Sequence, residues 1–509
     1  MRIVYCVVFL LFLVCSGCGN PSSEEKGQGT ESSGEQVLVE EKTESVRQEQ
    51  GGGQESHKEE PSQTPDESVR SLDAGSESRP EIHVPTEEPT GKNEVPPTPD
   101  KPPREASPTE PPPTEPSGSF RNISLKSRIT GVQPMTGLIL WADGGKSQTD
   151  SIQLEYSYMR YGDIVSKKGQ YNWSKLDTLL NTIKKRKHQA VIRFYFAYPG
   201  RETTVPKYIK DLSAYKETRG KSEGKTTYFP DWSSKVLQDF ALEFYQKFAA
   251  KYDKDPRLAF LQVGFGLWAE YHIYDGPMKL GQTFPSKAFQ STFFKHLAKH
   301  LKTLHWSVSI DAAESSRTPL ASEKTLLKLD FGLFDDSFLH KNHHKYNADS
   351  FKFMGLDRYK RSPIGGELSY YSNHDQKNAL APKGPHGIPF EKMAAQYHVT
   401  YMIGNDQPRY QPMSRIKSAG MAIGYKFKIL SFQASATHSK VTVQNTGIAP
   451  LYYHAYIAVN GVKSTTSLKG LLPGAKQEVT VASGGNQPAL SIECARLVPG
   501  QKIEFQADL

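Results

Sequence analysis

From about residue 134 onward the chain repeats one pattern without repeating its letters: a short β-branched or aromatic run, a loop, then a helix-like stretch. That alternation predicts parallel strands joined by crossover helices, because strands running the same way need a long return path. Candidate strands are Gly137–Trp141, Glu155–Arg160, Ala190–Phe196, Leu258–Phe265, Ser307–Asp311, Phe331–Asp335, Pro363–Glu367 and Val399–Gly404. Between them, Leu176, Leu179, Leu180 and Ile183 fall at helical spacing within Lys175–Lys187, after the plausible start Asn172-Trp173-Ser174. Ser233–Tyr252, Lys287–Leu304 and Pro389–Tyr397 read as further helices. Eight strands with intervening helices fit a (β/α)8 TIM-type barrel, although an open doubly wound sheet produces the same alternation. No glycine-rich phosphate loop follows any of the strands, which argues against nucleotide binding.

After Gly424-Tyr425 the texture changes to short alternating runs, Lys426–Gln433, Lys440–Gln444, Ala455–Val459 and Gln477–Val481. Turn residues separate them at Asn445-Thr446-Gly447, Asn460-Gly461 and Pro473-Gly474, so residues 426–509 read as a small antiparallel β-sandwich. Such a module either binds sugar or packs on the barrel and stabilises it. The barrel segment is then 119–425.

Residues 19–118 are of another kind: no Phe, Trp or Tyr, 16 prolines, 23 acidic side chains and 9 basic ones. With so little apolar surface to offset chain entropy, this segment is expected to be a long disordered linker, locally extended at Pro111-Pro112-Pro113. Subtracting it changes the electrostatics. Residues 119–509 hold 53 Lys+Arg against 32 Asp+Glu, a net of +21 that the formal +8 of the whole conceals. A domain so basic attracts polyanions, which puts anionic glycans and acidic envelope polymers among the candidate partners. The densest run, Lys184-Lys185-Arg186-Lys187, sits where cations favour a helix C-terminus.

Met1-Arg2, the apolar run Ile3–Val14 and then Cys15-Ser16-Gly17-Cys18 have the parts of an export signal over residues 1–18. The run is too short to span a bilayer. Its ending resembles a bacterial lipoprotein signal, which implies a lipid on Cys18 and attachment to the bacterial cell envelope, with the outer membrane, periplasmic or cell-surface side, as the location. Cys6 and Cys15 would leave with the signal, and Cys494 alone would remain in the folded part, so no internal disulfide is expected.

The chemistry is expected at strand ends. Gly264-Phe265-Gly266-Leu267-Trp268-Ala269-Glu270-Tyr271-His272 runs from a strand through two glycines to a Trp and a carboxylate, and Gly365-Gly366-Glu367-Leu368-Ser369-Tyr370-Tyr371 repeats the theme. Two carboxylates across one barrel mouth are what glycosidic cleavage needs, and flat aromatic rings suit sugar faces. These turns resemble the glycoside-hydrolase-like barrels of clan A, whose acid/base glutamate follows the fourth strand and whose nucleophile follows the seventh. The resemblance implies those roles for Glu270 and Glu367. Ala269 stands where those barrels carry an Asn that holds the sugar 2-hydroxyl. Glu155–Asp163 and the following Gly169-Gln170-Tyr171-Asn172-Trp173 are similar to the second strand and helix start of β-galactosidase-like barrels. From about 134 to 430, with its final Gly424–Ile429 strand, the chain more closely resembles the bacterial family catalogued as domain of unknown function 4832.

Around the two glutamates, Trp141, Arg160, Arg193, Trp268, His272, Asp311 and Tyr371 are candidate substrate-binding residues. Arg160 and Arg193 end adjacent strands and would keep a nearby carboxylate ionised, or equally serve packing. Asp311 and the pair Asp335-Asp336 suit either substrate hydroxyls or helix caps, and His272 either sugar or a loop hydrogen bond. His340-Lys341-Asn342-His343-His344 lacks the spacing of a tetrahedral metal site and reads as a solvated loop. No metal or cofactor is expected, and no nucleic acid. The reading is an exported, lipid-anchored glycoside hydrolase acting on a poly- or oligosaccharide by a two-carboxylate mechanism. Its alternatives are a carbohydrate-binding lipoprotein without turnover and an envelope protein docking on anionic polymer.

Overall fold

The computed structural model describes residues 119–509. The expected signal, Cys18 and the linker to residue 118 lie outside the described residues. Each of the eight candidate strands forms: β1 (Gly137–Trp141), β2 (Leu154–Arg160), β3 (Gln189–Tyr195), β4 (Leu258–Gln262), β5 (Trp306–Ser309), β6 (Gly332–Phe338), β7 (Ile364–Leu368) and β8 (Tyr401–Ile403). All neighbours are parallel, and the ring closes where Tyr401 of β8 pairs with Gly137 of β1. That closure decides against the open sheet. Helices wrap the outside by their apolar faces. α1 (Ser174–Lys185) buries Leu176, Leu180 and Ile183. α2 (Lys235–Tyr252) buries Phe240, Phe244 and Phe248, and starts where the Ser234 side chain accepts from Leu237 N. α3 (Lys287–His300) is capped in the same way by Ser286. α4 (His344–Met354), a helix not among the sequence candidates, follows β6.

The Tyr171–Trp173 motif serves this outer layer rather than the mouth. The two rings stack at 5.7 Å, and Trp173 packs on Phe244, Phe248 and Tyr252 of α2, tying α1 to its neighbour.

The sandwich comprises β9 (Phe427–Ala434), β10 (Ser439–Asn445), β11 (Ala455–Val459), β12 (Val462–Ser467), β13 (Lys476–Val481), β14 (Leu490–Cys494) and β15 (Phe505–Asp508). Its pairing is mostly antiparallel, but β9 and β15 run parallel from Phe427 opposite Phe505. Two short strands at the start of the barrel segment belong here instead. Arg121–Asn122 pairs with β9 and Lys126–Ser127 with β15. Runs of two residues carry no periodicity, so only the edges they cover reveal them.

Barrel and sandwich share one core. Ile139, Tyr156, Val191, Phe260 and Tyr401 from the barrel interior are contiguous with Tyr425, Phe427, Ile429 and Tyr453. The Phe260 and Tyr453 rings stack at 6.2 Å, Tyr453 Oη donates to Ala259 O, and Arg496 donates to Leu258 O and Asp253 O. These contacts close the N-terminal end of the barrel, leaving its C-terminal mouth for chemistry.

Candidate active site

Beyond β4 the chain folds back on itself: Gly266 N donates to Glu270 O at 2.8 Å and Leu267 N to His272 O at 3.1 Å. A Cβ on Gly264 would stand 2.0 Å from Ala269 O, and one on Gly266 2.0 Å from His272 O. Only glycine fits. The fold-back puts Trp268 and Ala269 in the left-handed region, at φ 56° and 59°, which costs L residues about 1–2 kcal/mol each. Such strain persists where the surroundings over-determine it. Here Trp268 O accepts from Arg193 Nη1 at 3.2 Å, and Trp268 N donates to Ala197 O at 3.1 Å.

Arg193 of β3 is fully buried beneath this loop and organises the mouth. Its Nη1 and Nη2 reach Asp336 of β6 at 2.9 and 3.3 Å, its Nε donates to Gln262 Oε1 at 2.8 Å, and Nη1 lies 3.3 Å from Tyr158 Oη. Glu270 Oε1 is 3.7 Å from the same Nη1. Burial draws the guanidinium toward its neutral form, but Asp336, Tyr156 and Tyr158 together outweigh that and Arg193 stays charged.

Glu270 stands close enough to Asp336 for the two carboxyls to influence each other. Burial pushes the Glu270 carboxyl up to about 7, and the Asp336 charge adds to the rise. His272 opposes it, with Nε2 2.6 Å from Glu270 Oε2. Asp335 is likewise pushed up to about 7 by burial, while Ser337 N and Asn347 Nδ2, each at 2.9 Å, hold its two oxygens. Carboxyls protonated near neutrality are what general-acid catalysis requires.

These groups border a cavity of about 250 Å³. Of the residues singled out in the sequence, Glu270, His272, Asp311 and Tyr371 line it. Asp335, Asp336 and Glu314 bring the carboxyl residues to five, against Arg317, His272 and His343. The local charge is thus opposite in sign to that of the folded part as a whole. A uronate or sulfate would meet like charge here.

The other half of the mouth is aromatic. Trp141 ends β1 against Tyr158 at 5.7 Å, Tyr158 meets Tyr198 at 6.0 Å, Tyr198 meets Trp268 at 6.1 Å, and Trp268 stacks on Tyr274 at 5.9 Å. Glu367 belongs to this side. It alternates on β7 with Gly365, where an added Cβ would strike the interior ring of Tyr401. After burial, its carboxylate is among the causes that raise the phenols of Tyr158 and Tyr198. Arg160, next after Tyr156 and Tyr158 in the same alternation, reaches the exposed rim and is not among the cavity's lining residues.

Sequence reading alone did not bring out Asp336 as the partner of Glu270, nor Tyr158, Tyr198, Tyr274 and Asn347. The tandem Asp335-Asp336 at a strand end was the available signal, but its two members have separate partners that no spacing reveals. Ala269 is fully buried, so position 269 offers nothing to the cavity. Among the described residues, two groups have the donor types of a metal site: Glu270, His272 and Asp311 at the mouth, and His340, Asp375 and His386 beside it. Within the histidine run, Lys341, Asn342 and His344 are exposed as a solvated loop requires, but His340 is not. His340 is partly buried and bonded to Asp375, which lies 35 residues away in sequence.

The fold defines a (β/α)8 barrel with a carboxylate-rich mouth, and solved structures similar to it are glycoside-hydrolase barrels. One is the galactosidase domain of the α-galactosidase–sucrose kinase AgaSK, at 11% identity and TM-score 0.32, covering 71% of this chain and 56% of that one. Another is the catalytic domain of β-amylase from Paenibacillus polymyxa, at 12% identity and TM-score 0.35, covering 57% and 99%. A third is the α-galactosidase TtGalA from Thermus thermophilus, at 14% identity and TM-score 0.35, covering 62% and 66%. The chain thus spans little more than half the length of the AgaSK domain. No protein-family model matches the chain, so the likeness to the domain of unknown function 4832 family rests on motifs alone. No curated protein matches it.

Proposed function

We propose that the barrel mouth is the active site of a glycoside hydrolase, with Glu270 as general acid/base and Glu367 as nucleophile or second base. The observation that carries this reading is the Glu270 carboxyl, pushed up to about 7 at the edge of an open cavity. A group poised near neutrality can donate its proton to a leaving oxygen and later take one from water. Asp336 adds to the rise that burial produces and is held by Arg193, which assigns it a positioning role. The acidic lining favours a neutral or amino sugar over the anionic glycans suggested by net charge. Trp141, Tyr158, Tyr198 and Trp268 supply faces for sugar rings.

The test is hydrolysis of a panel of neutral, amino and uronic oligosaccharides by the unaltered protein and by Glu367→Gln. Turnover of a neutral or amino substrate that falls at least about 100-fold in the variant supports the assignment. Turnover unchanged by Glu367→Gln but lost in Asp336→Asn would transfer the second role to Asp336.

A second reading, carbohydrate binding without turnover, is favoured by the buried Ala269, because this loop offers no side chain where clan A barrels hold the 2-hydroxyl. Saturable binding with no product for any glycan would select it.

Attachment to the bacterial envelope through a lipid on Cys18 is part of the proposal. Among the described residues no helix is long and apolar enough to cross a membrane. Expressed in a bacterium, the full chain is expected in the detergent phase on phase partitioning and Cys18→Ser in the aqueous phase. Equal partitioning of the two would remove the anchor.

A further inference from the structure

The loops following β6 and β7 meet beside the mouth at His340, Asp375 and His386. Asp375 is buried, and its oxygens are divided between the two imidazoles: His340 Nδ1 lies 2.8 Å from Oδ2 and His386 Nε2 2.9 Å from Oδ1. The three donor atoms all lie within 4.8 Å of one another. Ser369 Oγ donates to Asp375 Oδ2 at 2.7 Å, and Ser372 Oγ accepts from Asp375 N at 3.0 Å, so the carboxylate is oriented from behind.

We propose that His340, Asp375 and His386 bind a divalent transition-metal ion, zinc or a metal of similar preference, that clamps these two loops together. Two imidazole nitrogens and one carboxylate are a donor set suited to such ions. With metal–ligand distances of about 2.0–2.2 Å, tetrahedral ligands stand roughly 3.3 Å apart, so each His–Asp375 contact need open by only about half an ångström, and the two imidazole nitrogens, within 4.8 Å of one another, need close by no more than about 1.5 Å. His386 is exposed, which leaves a fourth position accessible to water. Ser369 stands behind the carboxylate as metal-site partners do, fixing the ligand's orientation.

The ion would act on the mouth through one ring. His340 stacks on Tyr371 at 4.4 Å and 19°, His343 meets the same ring at 4.5 Å, and Tyr371 and His343 line the cavity. Fixing His340 fixes Tyr371. The site stands independently of the glycosidase reading, since it uses neither Glu270 nor Glu367.

The experiment is calorimetric titration of the metal-stripped full chain with Zn²⁺, repeated with Co²⁺ while recording visible absorption, on the unaltered protein, Asp375→Asn, His386→Ala and Glu270→Gln. One ion per chain is expected, weakened at least tenfold in His386→Ala and in Asp375→Asn and unchanged in Glu270→Gln, with a rise in melting temperature on adding Zn²⁺. His386 is exposed, so its variant tests the site even where Asp375→Asn fails to fold. Absence of binding to the unaltered protein overturns the proposal. So does binding that survives His386→Ala, or binding lost in Glu270→Gln, which would place the ion on Glu270, His272 and Asp311.

Discussion

Glu270→Gln is expected to lower turnover by about 10²- to 10⁴-fold, the range that a positioned general acid supplies. The unaltered protein should also lose activity as pH rises through about 7, because the protonated form of Glu270 is the donor. Asp336→Asn removes the charge that helps to raise this carboxyl, so its basic limb should move to lower pH. Rate against pH for the three proteins checks both statements. A stability effect accompanies the kinetic one. Because the Glu270 carboxyl is raised above its ordinary value of 4.5 in the folded protein, the native state holds a proton that the unfolded chain releases. That contribution is fully present below about 4.5 and is lost as pH rises through about 7. Chemical denaturation across this window should show the unaltered protein losing more stability than Glu270→Gln, which cannot ionise. Parallel curves would mean that the carboxyl titrates normally.

Arg193→Met should produce the largest loss of stability of any single change at the mouth, about 3–5 kcal/mol, because it strands buried carboxylates. Five ties go with it: Asp336, Glu270, Gln262, Tyr158 and the Trp268 carbonyl that pins the strained turn. Removing the charge with its partner should cost much less. Arg193→Met combined with Asp336→Leu is therefore expected to recover part of the loss, as apolar replacements of buried pairs do. Melting temperatures of the two single variants and the double variant decide the point. A single variant within about 1 kcal/mol of the unaltered protein would show that water, rather than the guanidinium, solvates these acids.

Much of the scaffold was legible. Strands such as Ala190–Phe196 and Leu258–Phe265 are buried on both faces, so their apolar runs stand out, and α2 announces itself through Phe240, Phe244 and Phe248. Glycines ahead of Glu270 mark the fold-back after β4, whereas Gly365 and Gly366 lie within β7 itself. The reason they are glycines was not legible. Gly264 and Gly266 are excluded from bearing a Cβ by carbonyls of the same loop, and Gly366 by Asp335 O at 2.2 Å from the neighbouring strand. Net charge and the cavity lining point to different substrates. The +21 is a sum over the whole folded part, whereas the five carboxyl residues at the cavity come from the ends of three strands, β4, β5 and β6. Positive charge gathers elsewhere, for instance in a cavity at the barrel–sandwich seam lined by Lys302, Lys328, Lys360, Arg361 and Lys469.

Periodicity and turn chemistry, which act between residues close along the chain, determined the order of strands and helices, the change of texture after residue 425 and the positions of Glu270 and Glu367 at strand ends. Ring closure, the pairing of Glu270 with Asp336 over Arg193, the attachment of residues 121–127 to the sandwich and the meeting of His340 with Asp375 were decided by tertiary structure alone. Each joins groups far apart in sequence, whose energies depend on burial and on partners that no local pattern encodes.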